Sequence, residues 1–132
     1  MAVEEDEVRK AAERFYAAQT SGLNGDFGPM EDLWSHASDV SVLPPSGNRV
    51  LGWEQVKASW ERAAKAFSGG RVTLEDVVVV PITEDVVYTL GTEHGQGIDW
   101  RVTNIYRREA DGWKIVHHHT DFSQEMVQAL GG

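Results

Sequence analysis

The chain has 132 residues, of which 41% are hydrophobic and 25% are charged, and this balance is typical of one globular domain spanning residues 1–132. Its formal net charge is −9. Since no run of Lys or Arg occurs, the sequence lacks the clustered positive charge that nucleic acids and anionic membrane surfaces require, and we expect neither as a partner.

The sequence also lacks the features of several other kinds of site and protein. Without cysteine there can be no disulfide, thiolate catalysis or sulfur-based zinc site. No stretch approaches the roughly 20 apolar residues of a membrane span. The segment MAVEEDEVRK has neither the basic nor the apolar region of a secretory signal, so we expect a cytoplasmic protein.

The first half of the chain predicts three helices. The first is predicted over residues 3–23, the second over residues 30–37 after the break GLNGDFGP, and the third over residues 53–67. Ser68, Gly69 and Gly70 are predicted to end the third helix. The apolar stripe of the first helix comprises Val8, Ala11, Ala12, Phe15 and Ala18.

Strands are predicted for the rest of the chain. The segment VSVLPPSGNRVL indicates two short strands around a Pro/Gly/Asn turn, and two longer hairpins follow, with turns at residues 83–85 and 110–112. Helices first and antiparallel strands later favour an α+β domain, in which one curved sheet wraps around the helices. The run VVVVP is apolar on both faces, which favours a dimer in which a second subunit covers one of them.

Three consecutive histidines lie in the last predicted strand, WKIVHHHTDF. Alternate side chains of a strand share a face, so His117 and His119 point together with Asp121, while His118 points the other way. The Cα atoms of His117 and His119 are then about 6.7 Å apart, close enough for two imidazoles to bind one substrate or one ion. We predict that this pair lines a pocket and that His118 is an ordinary hydrogen-bonded residue of the sheet.

Metal binding is the weaker interpretation of the histidine pair. Asp121 or His94 would have to supply a third ligand, and the sequence contains no His-Glu-x-x-His pattern or calcium loop. We therefore predict no metal site. Acid/base chemistry, with Asp121 orienting an imidazole, is favoured instead.

The register of the last hairpin decides which side chains join the histidine pair. A four-residue loop at residues 109–112 would pair Asn104 with His117. The pocket face would then carry Trp100, Asn104, Tyr106, His117, His119 and Asp121. A slip of one residue inverts every side chain, so that the residues opposite the pair would be Arg101, Thr103 and Ile105. Both registers remain open from the sequence.

Aromatic residues elsewhere are further candidates for a pocket lining. Tyr16 on the first helix, Trp34 on the second and Tyr88 on a strand could line it, although each also fits the core. Core packing is predicted for Trp53, Trp60 and Trp113. Nucleophile motifs and phosphate-binding glycine loops are absent, so covalent catalysis and nucleotide cofactors have no support, and we predict no cofactor.

The stretch VTNIYRREADGWKIVHHHTDFS, preceded by ASDVSVLPPSG and GWEQVKASW, resembles the SnoaL-like families of the nuclear-transport-factor-2-like superfamily over nearly the whole chain. Its most specific part is similar to the ending motif of SnoaL-like domains and of the calcium/calmodulin-dependent kinase association domain. That part comprises Trp113, Ile115, Val116, His117 and His119. Where such motifs usually have Ser, this chain has Asp121.

The resemblance implies a cone-shaped α+β fold, in which a curved, mostly antiparallel sheet wraps around about three helices and encloses an internal pocket. It also implies a homodimer formed through the sheet. Compared with the similar ketosteroid isomerases, Pro44 stands at the general-base Asp, and Asn104 stands at the oxyanion-binding Asp. Tyr16 or Phe15 matches their oxyanion-binding Tyr. Steroid isomerisation is therefore not expected, because the carboxylate base is missing.

We expect a cofactor-independent enzyme of SnoaL-like type, an isomerase, cyclase or dehydratase acting on a hydrophobic or polyketide-like carbonyl compound. His117 or His119 would be the acid or base, Asp121 its orienting partner, and Asn104 the donor to a developing oxyanion. The alternative is a non-catalytic domain that binds a small ligand or mediates dimerisation. Imidazoles open to a cavity would favour catalysis, and imidazoles bound to backbone groups would favour the alternative.

Overall fold

Helices and strands follow one another in the predicted order in the computed structural model, which describes residues 5–45, 48–67, 69–122 and 124–131. The helices in these ranges are α1 (Glu5–Leu23), α2 (Gly28–Leu33), α3 (Trp53–Ala66) and α4 (Gln124–Ala129). The strands are β1 (Ser41–Leu43), β2 (Val50–Leu51), β3 (Thr73–Thr83), β4 (Val86–Gly95), β5 (Ile98–Glu109) and β6 (Gly112–Asp121). Ser68 and residues 46 and 47, which belong to the predicted helix end and turn, lie outside the described residues.

The six strands form one curled, open sheet in the order β2-β1-β6-β5-β4-β3. Hairpins join β3 to β6 in chain order, and β1 lies parallel to β6 at the other side. The inner face of the sheet packs against α1 and α3, and we call the opposite face the outer face. The predicted α+β fold with a mostly antiparallel sheet is confirmed. In the described part of the chain, no helix is long and apolar enough to cross a membrane.

The first helix supplies the centre of the core. All five residues of its predicted apolar stripe are buried, and three acidic residues occupy its first turn, where the positive end of the helix dipole favours them. The ring of Phe15 packs edge-on against Trp34, Trp60 and His118, with centroid distances of 6.2, 6.0 and 5.5 Å. This single side chain therefore joins α1 to α3 and to the inner face of the sheet.

The second and fourth helices differ from the prediction. The second helix ends at Leu33 rather than at residue 37, since Trp34 adopts an extended backbone with φ −82° and ψ 139°. The extended chain pairs with β6, and the amide of Ser35 donates to the carbonyl oxygen of Ile115 at 3.1 Å. Tertiary pairing thus overrides local helix propensity. The six-residue helix α4 was not predicted, because it is too short to show a helical period.

A β-bulge in the last hairpin decides which side chains face inward. Near the turn, Arg108 pairs with Trp113, as the four-residue loop predicts. Further along, Tyr106 pairs with Ile115 whereas Ile105 pairs with His117, so Val116 is the extra residue of a bulge. The predicted pairing of Asn104 with His117 is wrong, since Asn104 pairs with His118. The structure has the alternative register, in which Ile105 lies opposite His117 and Thr103 lies opposite His119. A bulge produces this register, and the loop length is the predicted one.

A second irregularity makes Gly91 in β4 sensitive to substitution. An added Cβ there would lie 2.8 Å from Cδ1 of Leu74 and 3.1 Å from the backbone oxygen of Glu75, beside the bulge in β3. We expect Gly91→Ala to lower the free energy of unfolding by about 1–3 kcal/mol, as overpacked sites do. Urea denaturation measures this change.

The matched control is Gly95→Ala on the same strand. Its Cβ would meet Cγ2 of Val72 at 3.4 Å, an ordinary contact, so we expect a smaller loss. Equal unfolding free energies for the wild type and Gly91→Ala would show that the bulge of β3 adjusts freely.

Candidate active site

A cavity of about 140 Å³ lies between α1, α3 and the inner face of the sheet. Its lining is mostly apolar and aromatic, with Trp60 from α3 and Trp100 from β5. Among the residues that the structure describes, the lining contains no Lys or Arg. An engineered cavity of about 150 Å³ in another protein binds benzene, so this cavity has room for about one six-membered ring.

A chain of four buried polar residues runs behind the cavity, and each comes from a different element. The hydroxyl of Tyr16 in α1 donates to Oε2 of Glu93 in β4 at 2.7 Å. Nδ2 of Asn104 in β5 donates to the Tyr16 hydroxyl at 3.0 Å, and Oδ1 of Asn104 lies 2.6 Å from Nδ1 of His118 in β6. We call these four residues the buried chain. Its two ends, Glu93 and His118, line the cavity.

The buried chain fixes the proton positions of His118. Because Asn104 donates to Tyr16 through its amide nitrogen, its amide oxygen faces His118 and accepts a hydrogen bond from Nδ1. Complete burial lowers the pKa of His118 to about 3, with a smaller contribution from His117. The imidazole is therefore neutral at pH 7, and its Nε2 carries the lone pair.

Glu93 ionises in a range that suits a general base. Burial raises the pKa of its carboxyl to about 7, although hydrogen bonds from Tyr16 and Gln19 favour the carboxylate and oppose this increase. No ion pair involves Glu93 in the described residues. Burial also raises the pKa of Tyr16 well above its usual value, with Glu93 as the next cause, so this phenol stays protonated and donates. A carboxyl that ionises near neutral pH beside an apolar cavity can accept a proton from a bound compound.

The histidine pair predicted from the sequence lies outside this cavity. His117 and His119 are on the outer face, because the bulge at Val116 reverses their direction. Nδ1 of His117 lies 2.6 Å from Oγ of Ser41, and Nε2 of His119 lies 3.4 Å from Oδ2 of Asp121, which Arg101 also binds. The prediction that the first and third histidines face the pocket is therefore wrong. The middle histidine faces it instead.

The five predicted ligand-binding aromatic residues occupy different places. Trp100 lines the cavity. Trp34 and Tyr106 are buried in the core, Tyr16 belongs to the buried chain, and Tyr88 lies on the outer face. Trp53 and Trp60 pack against the core and Trp113 is buried, as predicted, and Trp60 also lines the cavity.

Two features of the site were not predicted from the sequence: Glu93 lines the cavity, and His118 faces it. A signal for Glu93 exists, because in VVYTLGTEHG it is in phase with the inward residues Val87 and Thr89. No comparable signal identifies His118, since its orientation depends on the bulge. Asn104, predicted to face a ligand, uses both ends of its amide within the buried chain.

His94, the remaining candidate metal ligand, lies at the end of β4. Its ring nitrogens contact the carboxylates of Asp99 and Glu75. Those hydrogen bonds, the one with Asp99 first, raise the pKa of His94. Within residues 5–45, 48–67, 69–122 and 124–131, no group of three His, Cys, Asp or Glu side chains is arranged to hold a metal ion.

Comparisons with known proteins place the chain among small α+β domains. A sequence model of the SnoaL-like domain matches residues 8–123. A candidate dehydratase of the nuclear-transport-factor-2-like family from Streptomyces avermitilis has a similar structure, with 25% identity and a TM-score of 0.75 over 90% of this chain and 95% of that one. No curated protein matches the sequence.

Two further solved structures are similar. A candidate calcium/calmodulin-dependent protein kinase type II association domain from Thiobacillus denitrificans has 27% identity and a TM-score of 0.76, covering 88% of this chain and 94% of that one. A protein with a cystatin-like fold from Caulobacter vibrioides has 14% identity and a TM-score of 0.74, covering 95% of this chain and 93% of that one. The second of these likenesses concerns the fold alone.

The hydrogen bond from Tyr16 should hold the pKa of Glu93 lower than burial alone would. We expect Tyr16→Phe to raise this pKa further above 7, because the phenol stabilises only the carboxylate form. The ¹³C chemical shift of the Glu93 carboxyl, followed by NMR against pH, measures it. Tyr88→Phe on the outer face is the control and should leave the pKa unchanged. An unchanged pKa in Tyr16→Phe would contradict the assigned direction of this hydrogen bond.

Proposed function

The chain belongs to the SnoaL-like domain family, and we propose that it is a small-molecule enzyme which transfers a proton on a neutral, mostly apolar carbonyl compound. One observation carries the proposal: Glu93 and His118, two buried ionisable groups joined by hydrogen bonds, line the same apolar cavity. Perturbed pKa values at a cavity are typical of active sites. The similarity to a candidate dehydratase agrees with this class of reaction.

Glu93 is the proposed general base. Its carboxylate accepts a proton from the carbon next to the substrate carbonyl, and the electron pair of that C–H bond passes into an enolate. If the substrate has a double bond between its β and γ carbons, return of the proton to the γ carbon completes an isomerisation. If it has a β-hydroxyl group, Glu93 gives the proton to the departing hydroxyl, so that water leaves and a C=C bond forms. Both outcomes conserve the proton and require no organic cofactor.

His118 and Asn104 have different parts in this proposal. The lone pair on Nε2 of His118 accepts a hydrogen bond from a hydroxyl group of the substrate or from water, since the neutral imidazole has its only proton on Nδ1. Asn104 is a positioning residue, because its amide holds the His118 tautomer and the Tyr16 hydroxyl. His117, His119 and Asp121, expected as catalytic from the sequence, have no part in the reaction.

The cavity limits the substrate in size and charge. About 140 Å³ accommodates one ring or a short chain, so a larger polyketide-like compound would have to extend beyond the cavity. Because the described lining contains Glu93 and no Lys or Arg, it disfavours a carboxylate or phosphate in the substrate. We therefore propose an uncharged hydrophobic compound with a single ring as the bound unit.

Acetophenone, a single-ring methyl ketone, tests the proposed base. In D₂O, NMR measures exchange of its methyl protons for deuterium. We expect Glu93→Gln to lower the enzymatic rate by about 10²- to 10⁴-fold, the usual contribution of a general base. The wild-type rate should rise as pH increases through about 7, since only the carboxylate accepts a proton.

The control for that experiment is His117→Gln, on the outer face, which should retain the wild-type rate and pH profile. Equal rates for the wild type and Glu93→Gln on both sides of pH 7 would refute the role of this carboxyl. A rate that falls as the carboxylate forms would also contradict it.

We also propose that the chain forms a homodimer through the outer face. Two large apolar side chains there are exposed, Val78 at 52% and Leu90 at 43%. They pair with each other across the neighbouring strands β3 and β4 and form an apolar surface that a second copy would cover. This surface supports the assembly alternative as well, because dimerisation does not depend on the cavity.

A charge on the outer face should weaken this dimer. We expect Leu90→Lys to raise the dimer dissociation constant by about tenfold or more, because the ammonium group would lose water on association. Sedimentation equilibrium measures it, with Gln55→Lys on the exposed side of α3 as a control of equal charge. A wild-type protein that sediments as a monomer would contradict the dimer.

A further inference from the structure

A pair of polar side chains on the last strand faces the cavity. His118 and Thr120 are two residues apart in β6, so both lie on the inner face, and both line the cavity. Within the described part of the chain, neither Nε2 of His118 nor the hydroxyl of Thr120 has a hydrogen-bond partner. Because only 3% of His118 and 6% of Thr120 is exposed, bulk water does not supply one. A polar group of a bound compound would be the missing partner of both.

We propose that His118 and Thr120 together bind a hydroxyl group of the substrate, at the end of the molecule opposite to its carbonyl group. This inference rests on the proposed function and deepens it by naming the substrate class, a neutral carbonyl compound with a hydroxyl group on its ring. A hydroxyl group both donates and accepts hydrogen bonds. Its proton would bind the lone pair on Nε2 of His118, and its oxygen would accept the proton of the Thr120 hydroxyl.

The acceptor in this pair has a fixed direction. Nδ1 of His118 donates to Asn104 at 2.6 Å, which leaves the lone pair on Nε2. The imidazole also packs against the rings of Phe15 and Trp60, with centroid distances of 5.5 and 5.0 Å. Since burial lowers the pKa of His118 to about 3, Nε2 gains no proton at neutral pH. His118 therefore favours a ligand that donates a hydrogen bond, because an ether or a methyl group would leave Nε2 unpaired.

The register of the sheet separates this pair from the proposed base. Thr120 pairs with Val102 on β5. Glu93 on β4 pairs with Trp100, two residues earlier on β5. Two strand spacings and an offset of two residues correspond to roughly 12 Å between the Cα atoms of Glu93 and Thr120 in a flat sheet. One ring with substituents at opposite ends suits this separation and the volume of about 140 Å³. The carbonyl end would lie beside Glu93 and the hydroxyl end beside β6.

Two compounds that differ only at the proposed hydroxyl group test this inference. The compound 4′-hydroxyacetophenone has an OH group where 4′-methylacetophenone has a CH₃ group. Isothermal titration calorimetry at about pH 6, where a phenol is neutral, gives both dissociation constants, and their ratio measures the preference for the hydroxyl group. We expect the wild type to prefer 4′-hydroxyacetophenone. Thr120→Val should reduce this preference by about two- to tenfold, the usual effect of one hydrogen bond.

Thr103→Val is the matched control. It makes the same substitution on the neighbouring strand β5, but Thr103 lies on the outer face opposite His119 and does not line the cavity. The preference should therefore stay at the wild-type value. Affinity for 4′-methylacetophenone should be equal in the wild type and Thr120→Val, because valine keeps the shape of threonine. An equal loss of affinity for both compounds in Thr120→Val would show a change of cavity shape alone and would overturn the proposal.

The role of His118 is measured in the wild-type protein. The ¹⁵N chemical shift of Nε2 changes when its lone pair accepts a hydrogen bond. We expect this signal to move upfield when 4′-hydroxyacetophenone is added and to stay in place with 4′-methylacetophenone. An unchanged signal in protein saturated with 4′-hydroxyacetophenone would show that His118 is not the acceptor.

The outcomes separate this inference from the proposed function. A wild type that binds neither compound, or binds both equally, refutes the inference, as does an unchanged preference in Thr120→Val. If deuterium exchange of acetophenone depends on Glu93 while the preference is unchanged in Thr120→Val, the hydroxyl site fails and the proposed base stands. If the preference falls as expected without exchange in the wild type, the hydroxyl site stands and the proposed function fails.

Discussion

The extra residue in β6 is the constraint on which the candidate site depends. With Val116 bulged, Ile115 and Val116 are both buried, and every side chain beyond them faces the opposite way from a regular strand. His118 consequently reaches Asn104 on the inner face. A regular ladder would have directed the outer-face pair His117 and His119 to the helices, next to Phe15.

Burying four polar side chains requires that each have a partner. The four side chains of the buried chain hydrogen-bond one another in the order Glu93, Tyr16, Asn104 and His118. The direction of these hydrogen bonds determines the tautomer of the imidazole. The two ends of the buried chain differ from its middle, because they line the cavity. One end is the neutral imidazole of His118, and the other is the carboxyl of Glu93, whose pKa is about 7. The same hydrogen bonds therefore hold α1 to the sheet and fix the proton positions of the two groups that we propose for proton transfer.

The similar structures show how little the fold alone says about chemistry. A candidate dehydratase and a candidate kinase association domain share this architecture with the chain at TM-scores of 0.75 and 0.76. Function must therefore be argued from the cavity and its side chains. Here the inner face carries the groups proposed for proton transfer, whereas the outer face carries the exposed apolar side chains proposed for association, so the two proposals are compatible in one domain.

Hydrophobic periodicity and turn residues determined the elements from the sequence alone: α1, α3 and the turns that precede β4 and β6 were predicted within a few residues, since these patterns are local. The order of helices and strands, together with the family resemblance, indicated the curved sheet. Only tertiary structure decided where α2 ends and which histidine faces inward, because pairing with β6 extends Trp34 and the bulge at Val116 reverses the strand. Both depend on contacts between distant segments, which local patterns do not record. The alternation of residues in β4 could have predicted that Glu93 faces inward. Its burial and its hydrogen bond with Tyr16 follow from packing against α1.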